Sequence, residues 1–522
     1  MTRDCGGNSM NLARIITEHS RNIPESIALI YKDRHISYGE LEEVTNRLAR
    51  GLMSLSVGYG EKVALVCPNI PEFVISFFSV LKCGGTIIPV NFLFKKEELL
   101  FVLKHSVASS VIIAAPFLPS LLEIKDRLQE LKTIIVFGSD NVGEDLVSYE
   151  SLIDKNSSAP VLYPVSDDDV AAVLYTSGTT GSLKGAMLTH NNIYYDAKAT
   201  NEVVILGVED CFLVVIPLFH SFGMTACMIL GLLSGSKLVL MEKFVPQYTL
   251  QAIEEHKVTI FMAVPSIYSA LLFYGKNLDR NRFKSLSVCV SGGAPMPEQV
   301  QRDFEDFFGC VIIEGDGPTE CSPVTSVNPL KGERKIGSIG LPLPGVEMKI
   351  VDEQSREVPD ETMGEIVVRG PVVMKGYLND IKATEESIKD GWFYTGDLGK
   401  RDSDGYFYIG DRKKDLIITG GMNVYPREVE DLLLKHHSVA EAAVTGKPDY
   451  LRGEVVHAFI VLKDGVSVKK KELISYCRQN MAKFKVPKEI TFMESLPKSY
   501  TGKVLKRILR EKTVLDKCPL VL

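Results

Sequence analysis

Short apolar runs alternate with longer helical stretches through the first three quarters of the chain. Residues 62–67 predict a strand, 72–83 a helix and 86–90 the next strand. Further buried strands are predicted at 109–114, 133–137, 170–175, 237–241, 259–263, 286–291 and 311–313. Strand and helix in alternation make βαβ units, so the expectation is a mostly parallel, helix-covered sheet, and the strand count asks for more than one. Beyond about residue 335 the texture changes to short alternating segments rich in Gly and Pro, such as 347–351 and 364–369, which predict a small, barrel-like antiparallel β subdomain. The charged run Asp-Arg-Lys-Lys-Asp at 411–415 then precedes a compact α+β pattern that continues to the end. The predicted class is α/β, with a large N-terminal domain over 1–413 and a small C-terminal domain over 414–522.

Composition narrows the functional classes. A chain of 522 residues, 45% hydrophobic and 24% charged, is globular and too long for one core. Its net charge of -7 supplies no positive field for a nucleic-acid backbone. The ten cysteines include no C-x-x-C, and Cys67, Cys83, Cys289 and Cys310 lie in or beside apolar segments. They read as small core residues of a reducing cytoplasm rather than as a disulfide or zinc framework. Residues 1–10 are polar and include Asp4, so no secretory signal is expected. The apolar runs at 111–122 and 226–241 are broken by Pro116, Pro119, Ser234, Gly235 and Lys237, so no membrane span is expected either.

The strongest chemical signal is Tyr-Thr-Ser-Gly-Thr-Thr-Gly-Ser-Leu-Lys-Gly at 175–185, directly after a buried strand. Small residues let the backbone approach an anion, the hydroxyls add donors and Lys184 adds charge, which suits a phosphate-cradling loop. It is not a Walker A loop, because Leu183 and Gly185 stand where that pattern needs Gly and Ser or Thr.

This loop belongs to an ordered series. It includes Leu-Lys-Cys-Gly-Gly at 81–85 with Pro89, Pro-Leu-Phe-His at 217–220, Ser-Gly-Gly-Ala-Pro at 291–295, Thr319-Glu320, Gly364-Glu365 and Gly376-Tyr377. It continues with Tyr-Thr-Gly-Asp at 394–397, the run at 411–415, Gly-Gly-Met-Asn-Val-Tyr-Pro at 420–426 and Thr-Gly-Lys at 501–503. The series resembles the adenylate-forming acyl-CoA synthetases, fatty acyl-CoA ligases in particular, over nearly the whole chain.

The resemblance implies a two-step ligase using ATP, Mg²⁺ and coenzyme A. Thr176, Ser177, Gly178, Thr179, Thr180, Gly181 and Lys184 would wrap the β- and γ-phosphates. Gly292, Gly293, Ala294 and Pro295, with Glu314, Gly315 and Asp316, would border the nucleotide base. Glu320 would be the Mg²⁺ carboxylate and Thr319 would lie near the α-phosphate; a hard cation bridging phosphates needs few protein carboxylates. Asp397 would accept both ribose hydroxyls, two oxygens meeting two donors, with Arg412 beside the ribose or α-phosphate. Lys503 would be the adenylation lysine, Lys414 the hinge of a swinging C-terminal domain, and Gly420 and Gly421 the lining of the coenzyme A tunnel. The lysines at 469–471 read as a solvated helix face, with contact to coenzyme A phosphates as the lesser alternative. His220 would gate the carboxylate, and Phe219, Phe222, Gly223, Met224 and Val264 are acyl-pocket candidates.

Residues 211–241 contain no Asp or Glu. A buried ammonium needs a partner, so an amine-bearing substrate is disfavoured and an apolar acyl group, a medium- or long-chain fatty acid, is favoured. Two positions depart from the family: Leu183 replaces a usual proline, and Asp316 replaces a usual aromatic that stacks on adenine. Three alternatives stand beside the fatty-acid ligase: an aromatic or alicyclic carboxylate–CoA ligase, an adenylation module serving a carrier protein, and a non-catalytic nucleotide sensor. The joint presence of Glu320, Asp397, Gly421 and Lys503 argues against the sensor. The expected location is the cytoplasm, and a homodimer is admitted as an assembly.

Overall fold

The computed structural model describes residues 11–139, 143, 145–177, 183–412, 415–419, 422–449, 452–498 and 504–515, with Ser177, Arg412 and residues 512–515 described by backbone alone. The chain divides into two compact units, one of residues 1–348 and 368–393, the other of 349–367 and 394–522.

The first unit holds two large sheets. One has nine strands in the order Leu341–Pro342, Ser326–Val327, Val311–Asp316, Val288–Ser291, Ile260–Ala263, Cys211–Val214, Lys237–Leu240, Ile27–Tyr31 and Arg34–Ser37. Its interior pairings, from Val311–Asp316 across to Ile27–Tyr31, are all parallel, and antiparallel pairs occur only at the edges. The other has eight strands in the order Gly376–Tyr377, Leu183–Thr189, Val170–Ser177, Thr86–Val90, Lys62–Val66, Ser110–Ala114, Thr133–Phe137 and Val147–Ser148. Its last six are parallel, and Leu183–Thr189 turns back antiparallel on Val170–Ser177.

Local chemistry explains the helices between them. Pro71–Lys82 begins with proline, whose missing N–H costs nothing at a helix start. It is buried nearly all round by Phe73, Phe77 and Phe78. That burial extends to Lys82, whose ammonium meets the Glu42 carboxylate at 2.7 Å and Asn46 Oδ1 at 2.6 Å. Without those partners the charge would be strongly destabilising. His190–Val204 opens on a reciprocal cap: Thr189 Oγ1 accepts the Asn192 N–H, and Asn192 Oδ1 accepts the Thr189 N–H.

In the second unit the long strand Trp392–Arg401 runs antiparallel to Phe407–Arg412 in a sheet with Gly364–Arg369 and Glu347–Val351. Further on, Gly453–Leu462 pairs with Val439–Asp449, Ile417–Thr419 and Glu489–Phe492. The helices Pro426–Leu434 and Lys470–Asn480 close its core through Val429, Leu433, Leu473 and Cys477. This is the α+β pattern expected for the C-terminal region.

All eight described cysteines are buried, and burial pushes the Cys83 and Cys227 thiols up to about 12. No helix among the described residues is long and apolar enough to cross a membrane.

Candidate active site

In open α/β sheets, ligands bind beyond the carboxyl ends of parallel strands, where the backbone turns and leaves a crevice. Four neighbouring strands of the nine-stranded sheet deliver Val264, Gly292 to Pro295, Glu314 to Asp316, and the segment after Val214 to that one end. A Cβ on Gly292 would stand 3.3 Å from the Gly315 carbonyl and 3.6 Å from the Phe222 ring, so a larger residue there would press on the neighbouring strand's backbone. Gly293 has φ +76°, a glycine conformation, and faces Val264. Glu314 is buried, and one of its oxygens accepts the Met296 N–H at 2.6 Å, tying the loop after Ser291 to the next strand. The Asp316 carbonyl accepts the N–H and the hydroxyl of Thr325.

The turn carrying Thr319 and Glu320 is held from several sides. The Val324 N–H donates to Asp196 Oδ2 at 2.8 Å, the Ser322 hydroxyl to the Val372 carbonyl at 2.8 Å, and the Met374 N–H to the Glu320 carbonyl at 2.8 Å. Thr319 Oγ1 lies 2.9 Å from Ser221 Oγ. Glu320 Oε1 accepts from Tyr377 Oη at 2.8 Å and from Thr176 Oγ1 at 3.3 Å, while the Lys184 ammonium stands 4.9 Å from the Tyr377 ring centroid. Burial and the Glu320 charge hold the Tyr377 phenol well above its usual range, so it stays protonated and donates. Thr176, Lys184, Glu320 and Tyr377 thus form one constellation. Sheet pairing assembles it: Thr176 lies opposite Lys184, and Tyr377 opposite Ala186. In the sequence, the Gly376-Tyr377 motif is the one signal for Tyr377, and it does not show the role.

The segment 216–224 is fixed by Asn69, whose amide donates to the Ile216 carbonyl and accepts the Leu218 N–H, both at 2.8 Å. His220 Nδ1 accepts the Phe222 N–H at 3.2 Å, which puts the proton of the neutral ring on Nε2. The Phe219 ring meets Phe92 edge-on at 5.6 Å, and Met224 is fully buried. Phe222–Ile229 is wound as a π-helix, a form that concentrates at functional sites. Gly223 lies where a Cβ would come within 2.2 Å of the Pro217 carbonyl oxygen. Gly223→Ala is therefore expected to push the helix off this turn and destabilise the protein by roughly 1–3 kcal/mol or more. Urea denaturation checks this; an unchanged midpoint would show that the contact relaxes freely.

In the second unit, Gly396 has φ +72° and donates its N–H to Glu365 Oε1 at 3.1 Å. The Asp397 N–H donates to Thr395 Oγ1 at 3.0 Å, so the Thr-Gly-Asp turn presents a nearly buried carboxylate beside the paired Arg412 backbone. Gly178, Thr179, Thr180, Gly181, Lys414, Gly420, Gly421 and Lys503 lie outside the described residues. The flanks of the last are described. Lys498 pairs with Val504, the Leu505 N–H donates to the Pro497 carbonyl at 2.8 Å, and Lys506 and Lys498 form ion pairs with Glu430 at 2.8 Å and Glu441 at 2.6 Å.

Residues 16–378 match the AMP-binding enzyme family, and 428–503 match the AMP-binding enzyme C-terminal domain. The chain belongs to this family. This AMP-binding enzyme is 36% identical over 537 residues, 96% of the chain and 94% of the relative, to a long-chain-fatty-acid–CoA ligase of Bacillus subtilis (strain 168). It is 35% identical over 494 residues, 94% of the chain and 97% of the relative, to a feruloyl-CoA synthase of Amycolatopsis sp.. Its structure resembles that of the anthranilate CoA ligase AuaEII in complex with anthranoyl-AMP, with TM-score 0.91 and 29% identity over 99% of each chain. The AMP-binding enzyme is accordingly an adenylate-forming acyl-CoA ligase that uses ATP, and its two parallel sheets, half-barrel sheet and separate C-terminal domain are the fold of that group.

Proposed function

We propose that this ligase activates an apolar carboxylic acid, a medium- or long-chain fatty acid, as its acyl-adenylate and transfers the acyl group to coenzyme A. The observation that carries the reading is the Thr176–Lys184–Glu320–Tyr377 constellation on one side of the first unit, with the acid-free segment 211–241 delivering His220 and Phe222 to the strand ends.

The site's donors fit a magnesium nucleotide. Both described hydrogen bonds to the Glu320 side chain fall on Oε1, leaving Oε2 for a hard cation. A lone carboxylate with substrate phosphates suits Mg²⁺, which keeps much of its water. When bound, Mg²⁺ would offset the charge of the phosphates, with Glu320 the residue that would hold it. Lys184 and the hydroxyls of Thr176 and Thr319 hold the phosphates, and Asp397 holds the ribose. The substrate carboxylate attacks the α-phosphorus, forming the acyl–phosphate bond as pyrophosphate leaves, and Lys503 stabilises the charge that shifts in that step. The thiol sulfur of coenzyme A then attacks the acyl carbon and AMP departs with the oxygen. Positioning suffices for this second step, because AMP is a good leaving group. Rotation about Lys414 exchanges Lys503 for Gly420 and Gly421 between the steps.

A second reading has one specific support, the feruloyl-CoA synthase relative: an aromatic acid. Pyrophosphate release measured across short, medium and long fatty acids, benzoate, ferulate and cyclohexanecarboxylate, each with and without coenzyme A, separates them. The fatty-acid reading requires the highest kcat/KM on a saturated chain and fails if an aromatic acid leads.

A further inference from the structure

The helix Pro265–Gly275 starts one residue after Val264, which faces Gly293 at the strand ends, and finishes on an unusual surface. Phe273 is 64% exposed and Tyr274 45%, their rings edge to face 5.3 Å apart, and Leu278 is 36% exposed. Exposed apolar side chains gathered together and rimmed by polar residues are the composition of a contact surface. The segment is rigidly based: Gly275 packs against Phe307 and Phe308, and the buried Phe283 ring lies 5.2 Å from that of Phe308.

From this base project Lys276, Arg280, Arg282 and Lys284, with Asp279 the only acid among residues 273–284. Asp279 Oδ1 is occupied by the Asn281 N–H at 3.0 Å, and Arg282 is paired with Glu254 at 2.6 Å. Among the described residues no carboxylate pairs with Lys276, Arg280 or Lys284, and the Lys276 ammonium sits 5.1 Å from the Phe273 ring centroid. Within residues 273–284 the cations thus outnumber the acid four to one, in a chain of net charge -7, and the acids of the neighbouring helices include Glu254 and Glu255 on one side and Asp303, Glu305 and Asp306 on the other. Rings that settle at headgroup depth, ringed by long cations that reach lipid phosphates, are the composition of an interfacial anchor.

We propose that the 273–284 surface docks on anionic phospholipid headgroups of a membrane, and that the helix Pro265–Gly275 carries this dock to within about 16 Å, its own length at 1.5 Å per residue, of the acyl end of the site. The second clause rests on the fatty-acid reading, since such acids dissolve in bilayers; the docking does not.

The test is cosedimentation of the full-length protein with phosphatidylcholine vesicles with and without phosphatidylglycerol, at low and high salt. The protein should bind the anionic vesicles and release them in salt. Lys276→Glu/Arg280→Glu/Lys284→Glu should weaken binding about 100-fold, at roughly fivefold per cation. Phe273→Ser/Tyr274→Ser should weaken it about tenfold or more. Adenylation of a short soluble acid should be unchanged in both variants, showing them folded. Absence of anionic binding, or equal binding by the triple variant, overturns the dock. Concentration-dependent dimerisation abolished by the serine variant overturns it in favour of a second copy. Vesicle binding with an aromatic acid leading the substrate screen removes only the fatty-acid reading.

Discussion

Lys503→Ala is expected to slow acyl-adenylate formation by about 10²- to 10³-fold, the usual loss when one preorganised transition-state contact is removed. Conversion of synthetic acyl-AMP and coenzyme A to the thioester should stay near the wild-type rate. Both flanks of the stretch that carries this lysine are anchored within the second unit: Lys498 and Val504 pair, and the Lys506–Glu430 ion pair is largely shielded from water. Gly421→Leu should give the converse, with adenylation kept and thioester formation blocked. Pyrophosphate release and thioester yield are measured separately, and equal loss of both steps in folded variants would sink the swinging-domain reading.

Glu320→Gln should raise the Mg²⁺ concentration for half-maximal adenylation by at least about tenfold and lower the rate at saturating metal. The amide oxygen still accepts from Tyr377 Oη and Thr176 Oγ1, so the turn is kept while the charge is lost. Tyr377→Phe provides the contrast: the charge remains and only its orientation loosens, so the metal requirement should shift less than in the glutamine variant. A Mg²⁺ titration of the initial rate decides between them, and an unchanged midpoint in Glu320→Gln would remove the carboxylate from the metal site.

Most of the parallel strands were legible because a strand covered on both faces is apolar through its buried stretch, as residues 63–66 and 134–137 are; the parallel strand Cys211–Val214 was not read from the sequence. Ile27–Tyr31 and Arg34–Ser37 escaped notice because the charged turn between them breaks the apolar run. Leu183–Thr189 was hidden by its own composition. Gly185 and Lys184 belong to what reads as a loop, but pairing with Val170–Ser177 makes them the return arm of a hairpin. Motif residues stand out in the sequence because few side chains can perform the chemistry proposed for them. The Tyr377–Glu320 contact does not, since it follows from a strand pairing more than 180 residues apart in sequence. Gly223 read as pocket lining; the reason for glycine there is the Pro217 carbonyl. The compact units also group 349–367 and 394–413 with the C-terminal residues, a division by packing that the charged run at 411–415 does not reveal.

The burial of the cysteines has a chemical consequence for an enzyme of this kind. An acyl-adenylate is a mixed anhydride that acylates whatever thiolate it meets, and the protein is the most concentrated nucleophile around it. Every described cysteine is shielded from solvent, and burial holds most of them, Cys67, Cys211 and Cys321 included, in the unreactive thiol form. Among the described residues the activated acyl group therefore finds no competing sulfur. For the described cysteines, packing alone disfavours self-acylation and leaves the intermediate to an incoming soluble thiol.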